Sequence, residues 1–173
     1  MPHINIEIKA RTNQPDKIRE ILKSLNTDFQ GTDHQIDTYF KVATGRLKLR
    51  EGNIENHLIY YNRTDQAGPK QSDVTLFVTE PNSPIKTILT QALGILAVVD
   101  KQREIYFIDN VKFHIDTVQG LGSFMEIEAI DPDGSIGKTR TLEQCQHYMT
   151  VLGIAESGLL THSYSDMVLE IPA

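Results

Sequence analysis

The chain has 173 residues, with 23 acidic against 17 basic side chains and a formal net charge of −6. That length suits one domain with a real core. The acidic balance argues against general binding to nucleic acid or anionic membranes, so any anion site must come from local clusters of Lys and Arg.

In chain order, Ile4 to Arg11 alternates apolar and polar residues and predicts a strand. Asn13-Gln14-Pro15-Asp16 opens a helix, whose apolar face is Ile18, Ile21, Leu22 and Leu25. Strands are expected at 35–42, 45–51 and 57–63. A polar, turn-rich loop from Asp65 to Lys70 comes next, and then a strand near 74–78. Ser83-Pro84 predicts a helix start with Ser as cap and Pro at the first position. Ile85, Ile88, Leu89, Ala92 and Leu93 form its apolar face, and Gly94 ends it. Strands at 98–107 and 111–118 flank a turn at Asp109-Asn110, and Gly120-Leu121-Gly122 turns into a strand at 124–130. A helix over 141–152 closes at Gly153, and a short one runs from Ser163 to about Leu169.

The chain shows no repeat, low-complexity tract or linker, so residues 1–173 read as a single domain. The single cysteine, Cys145, rules out an intrachain disulfide. Met1-Pro2-His3-Ile4-Asn5 lacks the form of a signal peptide. The longest purely apolar run, Ile95 to Val99, is too short to cross a bilayer. A cytoplasmic protein is expected. About eight short strands joined mostly by short turns predict antiparallel pairing; two packed layers and a barrel with helices outside both fit.

The chemistry lies in the phase of the strands. Residues two apart share a face. Asn5, Glu7 and Lys9 share one, as do Arg46, Lys48 and Arg50. The same holds for Lys101 with Arg103, His114 with Asp116, and Glu126 with Glu128; Arg63 ends another strand. A sheet with one solvated face explains any one of these strands. For the set, the signs come in blocks, and the apolar helix faces need a sheet face to cover. If the sheet closes, the charged face turns inward and needs a charged guest, because a buried ion costs several kcal/mol (roughly) to desolvate. The bases would pair with phosphate oxygens. Acids beside a polyanion imply a cation between them, and oxygen ligands suit Mg2+ or Mn2+ rather than zinc.

These residues resemble the CYTH superfamily, the triphosphate tunnel metalloenzymes. Asn5-Ile6-Glu7-Ile8-Lys9 is similar to the Glu-x-Glu-x-Lys signature of that group. Further matches are Arg46-Leu47-Lys48-Leu49-Arg50, Tyr60-Tyr61-Asn62-Arg63 with Gly68-Pro69-Lys70, Lys101-Gln102-Arg103-Glu104-Ile105-Tyr106, and His114-Ile115-Asp116 through to Glu126-Ile127-Glu128. The resemblance spans nearly the whole chain and is closest in look to class IV, CyaB-type adenylyl cyclase-like proteins. It implies an α+β fold: an eight-stranded antiparallel β tunnel, a closed barrel with flanking helices.

It also implies roles. Glu7, Glu126 and Glu128 would be metal ligands for Mg2+ or Mn2+. Lys9, Arg50, Arg63, Lys101 and Arg103 would bind phosphate; the strand phase adds Arg46 and Lys48 to that set, with a solvated place near the tunnel mouth the other reading of Arg46. Asp116 and Lys70 would serve catalysis, Lys70 as a lid closing from its loop unless it is simply an exposed lysine there. The implied partner is a small-molecule triphosphate: ATP, tripolyphosphate or thiamine triphosphate. The implied reaction is cyclisation of ATP to cyclic AMP and pyrophosphate, or triphosphate hydrolysis, and the implied assembly is a homodimer. The alternative is a non-catalytic nucleotide or polyphosphate binding module. One departure stands out: the first Glu of the signature is Asn5, which removes a negative charge from the metal wall.

Among the histidines, His114 alone falls in phase with a motif acid, while His3, His34, His57, His147 and His162 are expected on the surface or on helices. Cys145 falls with Leu142 and Met149 on the apolar side of a helix and reads as a buried structural thiol.

Overall fold

The computed structural model describes residues 2–63 and 68–171. Met1 and, from the expected polar loop, Asp65, Gln66 and Ala67 lie outside the described residues. Eight strands form: β1 (Pro2–Arg11), β2 (Asp28–Phe40), β3 (Arg46–Glu51), β4 (Asn56–Arg63), β5 (Lys70–Val78), β6 (Ile95–Ile108), β7 (Val111–Val118) and β8 (Gly122–Asp131). They close into one barrel in the order β1-β5-β4-β3-β2-β6-β7-β8, and every pairing is antiparallel. Helices α1 (Pro15–Ser24), α2 (Ile85–Leu93), α3 (Lys138–Val151) and α4 (Tyr164–Leu169) flank it. The expected tunnel architecture is the one observed.

Closure follows from two-sided patterning. On β1, β7 and β8, Ile6, Ile8, Phe113, Ile115, Met125 and Ile127 face outward. They are covered by Ile18 and Leu22 of α1 and by Cys145 and Met149 of α3 in one buried cluster. The opposite, charged face of the same strands is then left to the inside, because neighbouring side chains on a strand must point to opposite sides.

Three expectations need correction. Ser83 does not cap α2: the residue before the helix is Pro84, and no side-chain cap bond forms. The apolar face of α2 covers little, since none of its residues is buried and Ile88 is 59% exposed. The connection from β5 to β6 passes β4, β3 and β2, so this helix spans a gap rather than lying on the apolar wall that α1 and α3 cover. Lys70 is not a loop residue: it begins β5, is buried, and donates from Nζ to Thr161 O at 3.0 Å.

Candidate functional site

Inward positions on β1 run His3, Asn5, Glu7, Lys9. Beyond Lys9 the inside of the barrel turns apolar. Tyr39, Val99, Val118 and Phe124 pack there with Tyr164 of α4, backed by Met167 and Val168. The Tyr164 ring lies 3.6 Å from Lys9 Nζ, and its hydroxyl donates to Asp116 at 2.7 Å. Ser163 and Asp166 hold α4 with a reciprocal capping box. This end is therefore a floor. The other end is lined by His3, His57, Ile59, Leu76, Ile130 and Pro132. Between the two lies a cavity of about 310 Å³, within the size range of small-ligand pockets.

Nine of the expected residues line that cavity: Glu7, Lys9, Lys48, Arg50, Arg63, Lys101, Arg103, Glu126 and Glu128. Three do not. Arg46 is turned to Asp166 of α4 at 2.9 Å. Lys70 holds the carbonyl of Thr161 just before that helix. Asp116 is fully buried behind Arg103, which grips both its oxygens at 2.8 and 2.7 Å. The first two thus tie down the segment that forms the floor. Pattern alone could not show this, because α4 meets β3 and β5 only in the tertiary fold.

The cavity is polarised. On the wall of β2, β3 and β6, Asp37 accepts from Arg50 Nε and Nη2, both at 2.9 Å, and from Lys101 Nζ at 2.7 Å, with Lys48 Nζ at 3.1 Å. Burial opposes ionisation of Asp37, yet Arg50, Lys101 and Lys48 hold it well below the usual carboxylate range. Burial also pulls the Lys101 ammonium down from its usual range against the pull of Asp37. The opposite wall, β1 and β8, is acidic. Glu7 takes Arg63 at 2.5 Å, Glu126 takes Arg103 at 3.1 Å, and Glu128 accepts from the Asn5 amide at 2.5 Å. Burial, joined by repulsion from Glu7 and Glu126, pushes Glu128 up to about 7. Burial lowers Lys9 to about 8. Near the open end, Glu55 bridges Lys112 at 2.5 Å and Arg50 at 3.4 Å.

Two observations test whether a divalent cation fits the acidic wall. Asn5 Oδ1 is buried with no hydrogen-bond partner among the described residues. His114, Asp116 and Glu126 each bring a ligand atom to within 4.8 Å of the others, so the cluster can hold a divalent metal. Carboxylate and amide oxygens suit Mg2+ or Mn2+, whereas an imidazole donor such as His114 suits a softer divalent ion. The close trio differs from the expected Glu7, Glu126 and Glu128, because Arg63 draws Glu7 aside and the Asn5 amide draws Glu128. Both His114 nitrogens likewise lack a hydrogen-bond partner among the described residues, Nδ1 lying 3.8 Å from Glu126, and burial together with the Arg103 charge lowers this imidazole to about 4.

A CYTH domain model matches residues 3–164 of the chain. The chain belongs to the CYTH domain family. A candidate adenylate cyclase of Methanocaldococcus jannaschii, MJ0240, is 26% identical over 174 residues, covering 95% of this chain and 98% of that protein. The structure of PH1012 from Pyrococcus horikoshii superposes with a TM-score of 0.78 at 25% identity, covering 95% of this chain and 99% of the other. That of HpAC1 from Hippeastrum, a candidate adenylyl cyclase with a dominant triphosphatase activity, does so with a TM-score of 0.61 at 15% identity, over 96% and 94% of the two chains. Family membership and the polarised cavity thus agree with the tunnel expected from the motifs.

Pattern reading missed Asp37, Glu55, Lys112, Tyr39, Tyr61 and Tyr164, and placed His3 and His57 outside the cavity they line. For some of these a signal was present. Lys112 is two residues before His114, and Asp37 and Tyr39 alternate in phase on β2. Glu55 and Tyr164 carry no strand phase, since one lies between β3 and β4 and the other on a helix.

Proposed function

We propose that this CYTH domain protein binds a triphosphate in the cavity and cleaves it with the aid of Mg2+ or Mn2+, hydrolysis being the reaction the site supports best. One observation carries the reading: a cationic wall of Arg50, Lys101 and Lys48 faces an acidic wall of Glu7, Glu126 and Glu128 across one enclosed space. A triphosphate lying between them, with a cation against the acids, neutralises both walls at once. Such a cation would be held by Glu126, Glu128 and Glu7 with Asn5 Oδ1, or by the His114, Asp116 and Glu126 group; it supplies charge neutralisation at the phosphate oxygens and a lowered pKa for bound water. The protein's own cations do the rest. Lys9, Arg63 and Arg103, with the opposite wall, bind and align the phosphates with charges already fixed in place. Asp116, gripped by Arg103 and Tyr164, orients Arg103, and Lys70 acts through the floor rather than on substrate.

Cyclisation of ATP is a second reading, favoured by the apolar residues Ile59, Leu76 and Ile130 at the open end and by the likeness to MJ0240. The dominant triphosphatase activity described for HpAC1 speaks for hydrolysis. The test is incubation with tripolyphosphate, ATP and thiamine triphosphate, each with Mg2+ or Mn2+, with phosphate, pyrophosphate and cyclic AMP measured separately. Released phosphate is the expected result. Cyclic AMP with pyrophosphate selects cyclisation, and thermal stabilisation without turnover selects a binding module. Neither turnover nor stabilisation by any of the three compounds refutes the reading.

A further inference from the structure

The cationic wall contains an anion that the reaction does not call for. Asp37 is fully buried, yet Arg50, Lys101 and Lys48 all converge on its two oxygens. Three cationic groups meet Asp37; Arg50 also reaches Glu55 at 3.4 Å, but Glu55 is itself taken by Lys112, so a positive surplus remains and faces the cavity. Arg50 is fixed by a bidentate fork, which sets the plane of the guanidinium. Lys101 donates to Oδ2 and keeps two further N–H groups, while Lys48 lies 3.1 Å from the same oxygen as an ion pair and donates to the Tyr39 hydroxyl at 3.4 Å. The three groups come from β3 and β6, the two strands that pair with β2 on either side of Asp37: Arg50 and Val99 are its partners in register. A carboxylate at this one position therefore reaches both neighbours at once.

We infer that Asp37 is a positioning residue for the polyanion: it holds Arg50, Lys101 and Lys48 in one converged set before the ligand arrives, and it weakens binding of that ligand in return. The two effects have opposite signs on affinity and on turnover. A carboxylate in a poorly hydrated wall repels phosphate oxygens through the same low dielectric that strengthens its grip on the bases. Removing it favours polyanion binding and frees the bases to settle in geometries that do not align the phosphates for attack. A residue with a structural role alone would lower stability, binding and turnover together.

The inference rests on the proposed triphosphate site, and the experiment separates the two. Tripolyphosphate binding is measured by calorimetry at pH 7 and low salt without metal, for wild type, Asp37→Asn and Asp37→Glu. Turnover is measured with Mg2+. Asp37→Asn is expected to melt about 10 °C lower when unliganded, to bind tripolyphosphate at least about tenfold tighter, and to turn over at least about tenfold more slowly. Asp37→Glu keeps the charge on a longer arm and is expected to bind within about threefold of wild type while losing turnover. Equal or weaker binding by Asp37→Asn overturns the assignment. If that variant does not fold without ligand, Asp37→Glu decides, and wild-type turnover in it overturns the assignment. If wild type binds none of tripolyphosphate, ATP and thiamine triphosphate, with or without Mg2+, the triphosphate reading fails and takes this inference with it.

Discussion

Asn5 lies on the acidic wall of β1 and β8 where the proposed cation would sit, and replacing it with Glu tests that proposal directly. In the unliganded protein the Asn5 amide donates to Glu128 Oε1 at 2.5 Å. A hydrogen bond to a charged group contributes about 1.5–3 kcal/mol. Glu128 is already held up at about 7 by burial and by Glu7 and Glu126, so its ionised form is disfavoured by about 3 kcal/mol relative to a free carboxylate. Asn5→Glu removes the donor and places a second carboxylate beside the first, with a repulsion of about 4 kcal/mol at an effective dielectric of 20. Sharing a proton between the two acids relieves part of this, as in other close carboxylate pairs. A net loss of about 2–3 kcal/mol remains near pH 7, or about 6–10 °C in melting temperature for a chain of this size. A divalent cation reverses the sign, because the added charge then faces a positive ion. Thermal unfolding and calorimetric titration with Mn2+ measure both halves. The expected result is a lower melting point without metal, a larger rise with it, and Mn2+ affinity at least about tenfold above wild type. Equal Mn2+ affinity in the two proteins refutes the placement of a cation against β1 and β8.

Three further outcomes follow from the same contacts. Leu22 is fully buried beneath α1, so Leu22→Ala should cost about 2–5 kcal/mol in chemical denaturation, whereas an effect below about 1 kcal/mol would mean that α1 is not docked as described. Cys145 is fully buried, and burial pushes its thiol up to about 12; it should resist thiol-reactive dyes in the native protein and react on unfolding, and fast native labelling would contradict the packing of α3. His114 is buried and lowered to about 4, so below pH 6.5 the unfolded chain takes a proton that the folded state refuses. Its contribution to stability is therefore lost as pH falls from about 6.5 to 4, by about 2 kcal/mol at pH 5. His114→Gln should remove that share of the decline, and an unchanged pH profile would show that the imidazole is not held neutral.

Much of this architecture was readable because it rests on strict alternation. β1, β3, β7 and β8 place charged and apolar residues on opposite faces with few interruptions, and their in-phase residues Glu7, Arg50, Glu126 and Glu128 do meet in one cavity. Reading failed where alternation lapses or where partners are distant. β2 begins at Asp28, well before the expected start at 35, because Gly31-Thr32-Asp33-His34 is polar and a register shift between Phe29 and Gly31 breaks the phase. Asp33 in that stretch is buried to accept the backbone N–H groups of Asn53, Ile54 and Glu55, a role fixed by a turn beyond β3. Arg46 has the phase of Lys48 and Arg50, but it lies nearest the floor, where Asp166 competes for it. Tyr164 was beyond reach for the same reason, since a helix more than a hundred residues after Lys9 supplies the surface on which Lys9 rests.

Closing the barrel through its first strand also shapes how the chain reaches this state. β1 finds its neighbours only in β5 and β8, and the carbonyl of Lys9 waits for the N–H of Leu160. During synthesis one edge of β1 therefore stays uncovered until β5 has been made and the other until β8 has been made. Topologies dominated by such distant pairings fold over about milliseconds to seconds.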